Sequence, residues 1–284
     1  MRHPVCLGYQ VATPEVVVSP TATALSGPLD QSLAVLAETG YDAVELITVD
    51  PARLDQGMVR DLVRRHGLRV VNVCTGDVYG KLGLSLTDPD PSRRLACVMR
   101  LCQIVDFASY LGSNVNIGRA RGFLGDDPVV HHDLMVAGLR ALCDHAADCG
   151  VDVFLEPIER AETDNVHTVA DGEALVGEAA RENLATMMDT CAMVLEEADL
   201  YACAAELGGR VRYVHLTEVE RSYPGSTGSV DFRDFVERLA QAGYVGPFSI
   251  EVEQRPDPRT AVERSFACVA PILRDIYGWE GRLA

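Results

Sequence analysis

Eight short β-branched runs alternate with longer amphipathic stretches, glycines stand just before several of the runs, and no phosphate-binding fingerprint follows the first run; together these predict one α/β domain, a single (β/α)8 TIM barrel over residues 1–284. The runs are Val5 to Gln10, Ala43 to Ile47, Arg69 to Cys74, Asn114 to Gly118, Val151 to Glu156, Leu184 to Asp189, Val211 to Leu216 and Phe248 to Val252. Their starts lie 38, 26, 45, 37, 33, 27 and 37 residues apart, so every gap holds a crossover helix between parallel strands. Apolar residues three and four apart predict helices over Leu29 to Glu38, Pro51 to Arg65, Pro91 to Leu111, Val129 to Cys149 and Asp231 to Ala242. Pro51, Pro91 and Pro128 suit first helical turns, where a missing N–H costs nothing, and Gly40, Gly67, Gly112, Gly150, Gly208 and Gly243 suit left-handed helix ends. A doubly wound open sheet is the competing architecture, but neither GxGxxG after the first run nor GxxxxGK[ST] anywhere supports it.

Composition narrows the function. A formal charge of −17 opposes extended contact with nucleic-acid phosphates or an anionic membrane surface. No run is long enough to span a bilayer, and the N-terminus has no long apolar stretch after its basic residues, so the expectation is a cytoplasmic protein. The nine cysteines are odd in number and form no CxxC pair, which argues for reduced core thiols over a disulfide framework or structural zinc. Lys81, in YGKLG, is the only lysine, and a Gly-flanked loop is a poor place for a Schiff-base amine.

In such a barrel the chemistry sits at the C-terminal ends of the strands. The last four strands end in FLE, MMD, YVHL and SIEVE, which sets Glu156, Asp189, His215 and Glu251 on one rim. Taken alone, Glu156 reads most simply as the salt-bridge partner of Arg160. Three carboxylates on neighbouring strands repel one another unless a cation or bound protons neutralise them, and a divalent ion is the economical answer. Three oxygen ligands and one imidazole suit Mn²⁺, Mg²⁺ or Co²⁺ better than structural zinc. His3, His66, His131, His132 and His145 fall in terminal or helical positions and read as surface or packing residues.

FLEPIERAET, MMDT, VHLTEVER and FSIEVE, with YDAVEL on the second strand, LSLTDPDPSRR before the third helix and PGSTGSVDF after the seventh strand, resemble the xylose-isomerase-like sugar isomerases and epimerases, most closely the ketose 3-epimerases of tagatose, psicose and ribulose type. The resemblance implies one Mn²⁺-like ion on Glu156, Asp189, His215 and Glu251, no organic cofactor, and a carbohydrate substrate held partly by Glu162 and Arg221. It also implies Glu156 and Glu251 as the acid/base pair acting α to a carbonyl through an enediolate, and a homodimer or homotetramer. Strands five and eight lie across the mouth, so such a pair would flank the substrate, one glutamate on each face.

Two positions depart from the family pattern: Ala192 stands where the epimerases carry a histidine after the aspartate, and Glu159 where asparagine is usual. Ala192 keeps a lyase or dehydratase using the same proton abstraction as an alternative, with His167 as a candidate replacement for the lost donor. An apurinic endonuclease would need further histidines where Ala192 and Arg233 stand, and a non-catalytic sugar-binding protein would not need a carboxylate on each face. Arg119 and Arg121 are candidate anion holders or simple counter-charges to the rim, and Gly225 to Gly228 is a shaped loop that superficially resembles a phosphate cradle.

Overall fold

The computed structural model describes residues 5–19 and 22–281, so His3 lies outside it. Within the described residues the strands are β1 (Leu7–Ala12), β2 (Ala43–Ile47), β3 (Arg69–Cys74), β4 (Asn114–Ile117), β5 (Val153–Leu155), β6 (Leu184–Thr186), β7 (Met188–Asp189), β8 (Val214–Leu216) and β9 (Phe248–Ile250). All pairings are parallel, in the order β6-β5-β4-β3-β2-β1-β9-β8-β7. The two outermost strands of that order are consecutive in the chain, and only Met187 separates them. The ring therefore closes through the chain itself: Met187 N donates back to Leu155 O at 3.0 Å while Met188 N turns to Tyr213 O at 3.1 Å. The single sixth strand expected from Leu184 to Asp189 is thus two pieces, because one residue has to switch its hydrogen bonds from one neighbour to the other.

The helices are α1 (Leu29–Thr39), α2 (Gln56–Arg65), α3 (Gly76–Leu82), α4 (Pro91–Leu111), α5 (Pro128–Asp148), α6 (Val169–Ala179), α7 (Thr190–Glu196), α8 (Leu200–Leu207), α9 (Phe232–Gln241) and α10 (Pro258–Tyr277). Pro91 and Pro128 open α4 and α5 as expected, each behind an aspartate cap. Pro51 opens only a 3-10 turn, and α2 starts later because the Asp55 side chain accepts from Met58 N. Lys81 lies in the last turn of α3 and not in an open loop. Gly40 and Gly112 end their helices in the left-handed conformation, whereas Gly208 is right-handed (φ −53°): an added Cβ there would lie 2.4 Å from Ala204 O, so close packing is its reason for being glycine.

One buried layer packs the outer face of the sheet against the helices, with Leu33, Leu36, Val44, Leu46, Phe107, Leu139, Phe235 and Leu273 all fully covered. Inside the ring, Cys6, Ala43, Val71, Phe154, Met187 and Tyr213 form an apolar floor. Above it stands a polar layer. The register of β2 on β3 slips between Val44 and Glu45, whose partners are Val70 and Asn72. The bulge lets Val71 join the floor while its neighbour Asn72 also turns inward, re-aiming one side chain as bulges do.

Candidate functional site

Each barrel strand or its immediate end supplies one polar side chain to this layer, β6 and β7 together counting as one: Gln10, Glu45, Asn72, Asn116, Glu156, Asp189, His215 and Glu251, all buried. Glu156 and Glu251 lie one residue past the ends of β5 and β9, because both strands stop earlier than the apolar pattern indicates. Asp189 ends β7 and caps α7, accepting from Ala192 N at 2.8 Å. One ligand atom from each of Glu156, Asp189, His215 and Glu251 lies within 4.8 Å of all the others.

His215 is the pivot of the group. Its Nε2 lies 2.9 Å from Glu45 Oε2, which also accepts from Tyr213 OH at 2.8 Å. The other Glu45 oxygen accepts from Gln10 (3.3 Å) and Asn72 (3.1 Å). Burial acts to raise the Glu45 carboxyl, but the imidazole beside it and the bonds from His215 and Tyr213 bring it below the usual carboxylate range. With Nε2 committed to Glu45, Nδ1 points at Glu251 Oε2 (3.2 Å), Glu156 Oε1 (3.4 Å) and Asp189 Oδ2 (3.6 Å). That nitrogen is buried and has no hydrogen-bond partner among the described residues. An imidazole fixed from behind by a carboxylate, with its free nitrogen amid three carboxylates, is the arrangement of a metal-binding histidine. Gln10 also donates to Glu251 (3.2 Å) and Asn116 donates to Glu156 (3.0 Å) and accepts from Asn72 (3.0 Å), so side-chain amides join the two outer glutamates around half the ring.

Arg221 enters the same cluster. Its Nη1 lies 2.5 Å from Asp189 Oδ2 and 2.7 Å from Glu251 Oε2, and its Nη2 is 3.5 Å from Glu159. Burial would lower the guanidinium, but Asp189, Glu251 and Glu159 raise it well above its ordinary value. Asp189, despite burial, is held well below the carboxylate range by Arg221 and His215. Glu156 goes the other way: burial lifts it, and Glu251 and Asp189 add to the rise against the pull of the His215 imidazole beside it. One guanidinium against four carboxylates (156, 159, 189 and 251) leaves negative charge that a divalent cation would balance. Glu220 and Arg221 both take positive φ (60° and 54°), a left-handed backbone costing about 1–2 kcal/mol per residue, with the Arg221 carbonyl tied to Glu253 N at 2.7 Å.

Other residues fall elsewhere. Glu162 stands half-exposed at the rim, 3.2 Å from Arg119, and not against Arg221. Arg160 pairs with Glu196 at 2.9 Å and leaves Glu156 free of it, which overturns the simplest reading of Glu156. His167 holds the Ile158 carbonyl through Nδ1 at 2.9 Å, so this nitrogen fastens the loop instead of replacing a donor at Ala192. Trp279 packs on Phe266 and Arg274 beside α10. A cavity of about 260 Å³ lined by Asp152, Arg210, Arg212 and Tyr244 opens at the other end of the barrel, away from the carboxylates.

Two buried groups that frame the mouth gave little sequence signal. Arg121 is fully buried and spends its guanidinium on the carbonyls of Glu156 (2.7 Å), Asn165 (2.8 Å) and Val166 (3.2 Å) and on Asn165 Oδ1 (2.9 Å). Desolvation lowers it to about 10. Arg121 therefore clamps the loop after β5 and is no anion holder. Arg121→Met should cost about 2–4 kcal/mol, since several buried carbonyls lose their donor; a urea midpoint unchanged from wild type would contradict this.

Glu218 fills the Gly-rich loop from within, accepting from the backbone N–H of Gly225, Gly228, Ser229 and Val230 and from the hydroxyls of Thr227 and Ser229. What resembled a phosphate cradle is occupied by the protein's own carboxylate. Burial raises Glu218, but bonds from Ser229, Thr227 and the loop amides outweigh it and hold the group below the carboxylate range. A depressed folded pKa adds stability above the unfolded value, and this is lost as pH falls through the folded one. The stability gap between wild type and Glu218→Gln should accordingly be widest near neutrality and shrink below about pH 4.5, read from thermal melts across pH 7 to 3.5.

Residues 33–272 match the family described as Xylose isomerase-like TIM barrel. The chain is 32% identical over 229 residues to an L-ribulose 3-epimerase of Methylomonas sp. (strain DH-1), covering 78% of this chain and 77% of that protein. A ketose 3-epimerase of Arthrobacter globiformis is 32% identical over 222 residues, 75% of this chain and 74% of that one. The crystal structure of a D-allulose 3-epimerase from Methylomonas sp. shares the fold, with a TM-score of 0.80 at 24% identity over 95% of this chain and 98% of the other. The chain belongs to the xylose isomerase-like TIM-barrel family, and its relatives there include ketose 3-epimerases.

Proposed function

We propose that the protein is a sugar epimerase that inverts a carbon α to a ketose carbonyl, with Glu156 and Glu251 as the acid/base pair. The reading rests above all on one observation: two buried glutamates, an aspartate and an imidazole nitrogen with no hydrogen-bond partner among the described residues converge within 4.8 Å at the mouth. Glu156, Asp189, His215 and Glu251 would hold one divalent ion, and Mn²⁺ fits three oxygens and one nitrogen, with Mg²⁺ or Co²⁺ also suited. Such an ion, when bound, supplies Lewis acidity that polarises the carbonyl and stabilises negative charge on its oxygen.

The side chains perform the proton chemistry. Glu156, lifted by burial, is a carboxyl able to carry a proton, and Asn116 orients its second oxygen. Glu251 is oriented by Gln10 and Arg221. One glutamate removes the proton beside the carbonyl and the other returns a proton to the opposite face of the enediolate, and their roles exchange in the reverse direction. We assign Arg221 and Glu162 to contact sugar hydroxyls, Arg221 from inside the mouth and Glu162 from the rim beside Arg119. With only a methyl group at Ala192, whose backbone N–H donates to the capping Asp189 carboxylate, the site asks little of the substrate at that point.

Incubation with candidate ketoses, Mn²⁺ and D₂O tests the proposal. Epimerisation yields an isomer carrying deuterium at the inverted carbon. Loss of water or a fragment from the sugar would instead establish the lyase reading that Ala192 leaves open, and no exchange with any ketose would remove both.

A further inference from the structure

On the outside of the barrel, α4 and α5 bring three chemically unlike side chains together. His145 and Cys149 are one turn apart at the C-terminal end of α5 and therefore share a face of it. Asp106, on the neighbouring α4, faces both. His145 Nε2 lies 2.8 Å from Asp106 Oδ1 and 3.8 Å from Cys149 Sγ, and that sulfur is 3.6 Å from Asp106 Oδ1. Cys102, one turn before Asp106 on α4, is close enough for Asp106 and Cys149 to act on its thiol. All four are at least partly open to solvent. The helices end here just before β4 and β5 begin, so the cluster lies at the base of the barrel, opposite the carboxylate mouth.

This is not a nucleophilic triad. The thiol and the carboxylate address the same imidazole nitrogen, so Asp106 cannot orient the ring from one side while the other nitrogen takes the Cys149 proton. A simple His–Asp ion pair would account for Asp106 and His145 but not for the thiol against both. The spacing suits a cation. Zinc binds Cys sulfur at about 2.3 Å and imidazole or carboxylate at about 2.0–2.2 Å in tetrahedral geometry, which separates ligand atoms by about 3.3–3.6 Å. Both thiol contacts are near that length already. Only the imidazole–carboxylate contact, now a hydrogen bond, has to open, by about half an ångström.

We propose that Asp106, His145 and Cys149 form a second cation site, for a thiophilic divalent ion of the zinc class, with a fourth position open toward solvent. Binding replaces the Cys149 S–H with a sulfur–metal bond and releases the proton to solvent. The ion ties α4 to α5 at the base of the barrel, where its effect is on stability and not on catalysis. The oxygen and nitrogen donors at the mouth include no sulfur, so the two sites differ in metal preference and in spectroscopic signature.

The test is Co²⁺ titration of the reduced, metal-free full chain, read by thiolate-to-cobalt charge-transfer absorption in the near ultraviolet. The four donors of the mouth cluster carry no sulfur, and Cys149→Ser separates the band from any thiol elsewhere in the chain. We expect it to saturate at one equivalent per chain, to be displaced by Zn²⁺, to vanish in Cys149→Ser, and to need about 10–100-fold more Co²⁺ in His145→Ala and Asp106→Asn. Zn²⁺ should raise the melting temperature of wild type and not of Cys149→Ser. Absence of the band at tenfold molar excess of Co²⁺, or a band equally strong in Cys149→Ser or in His145→Ala, would overturn the proposal. The Glu156 and Glu251 readings stand or fall separately, since none of these measurements involves sugar turnover.

Discussion

If the proposed mechanism holds, Glu156→Gln and Glu251→Gln should each lower sugar epimerisation by about 10²–10⁴-fold, the usual contribution of a positioned acid or base. Glutamine keeps the volume and a carbonyl oxygen but cannot take up the substrate's proton. The two variants should fail differently. With one glutamate intact, the epimer whose C–H faces it still exchanges that proton with D₂O, while delivery to the opposite face is lost. Each variant therefore exchanges deuterium into one epimer without inverting it, and the two variants choose opposite epimers. Proton NMR of both epimers in D₂O reads this directly. Loss of exchange from both epimers in both variants would mean that the glutamates act through a shared ion alone. Full epimerisation by either variant would end the two-glutamate mechanism.

Glu45 carries the second large effect, although it lies behind His215 and would touch no substrate. Its two oxygens accept from four donors, those of Gln10 and Asn72 on one oxygen and of Tyr213 and His215 on the other. Only a carboxylate accepts on both sides. A glutamine must turn its NH₂ toward one pair of donors, which leaves the ring network broken whichever way it faces. Glu45→Gln should lower Mn²⁺ affinity by about 10–100-fold, because His215 loses the partner that presents Nδ1 to the cluster. Glu45→Ala should add a stability loss of about 3–5 kcal/mol from buried donors left unpaired. Calorimetric Mn²⁺ titration and urea unfolding separate the two effects. Wild-type Mn²⁺ affinity in Glu45→Gln would show that the orientation of His215 is set by the backbone alone.

Glu45 also illustrates how much of the site was legible. It sits in the middle of AVELI, a charged residue in a strand otherwise built for burial, and that oddity was the available signal. Its meaning depended on Tyr213 and His215, 168 and 170 residues away in the chain. Asn72 was harder to place, since strict alternation does not anticipate the bulge that turns both Val71 and Asn72 inward. Arg121 read as a free rim cation because no local pattern marks a guanidinium that will bond carbonyls some 35 to 45 residues further on.

By itself the sequence determined the order of the eight strand-forming runs and which side chains stand at their ends, because apolar runs and helix terminators are local properties of the chain. That was enough to bring Glu156, Asp189, His215 and Glu251 to one rim. The tertiary structure alone decided how the sixth strand divides at Met187 to close the ring, that Glu162 pairs with Arg119, that Arg221 reaches Asp189 and Glu251, and that Glu218 fills its own Gly-rich loop. Those outcomes depend on where loops from distant parts of the chain come to rest. A buried charge takes whichever partner the packed barrel brings within reach, and spacing along the chain does not encode that distance.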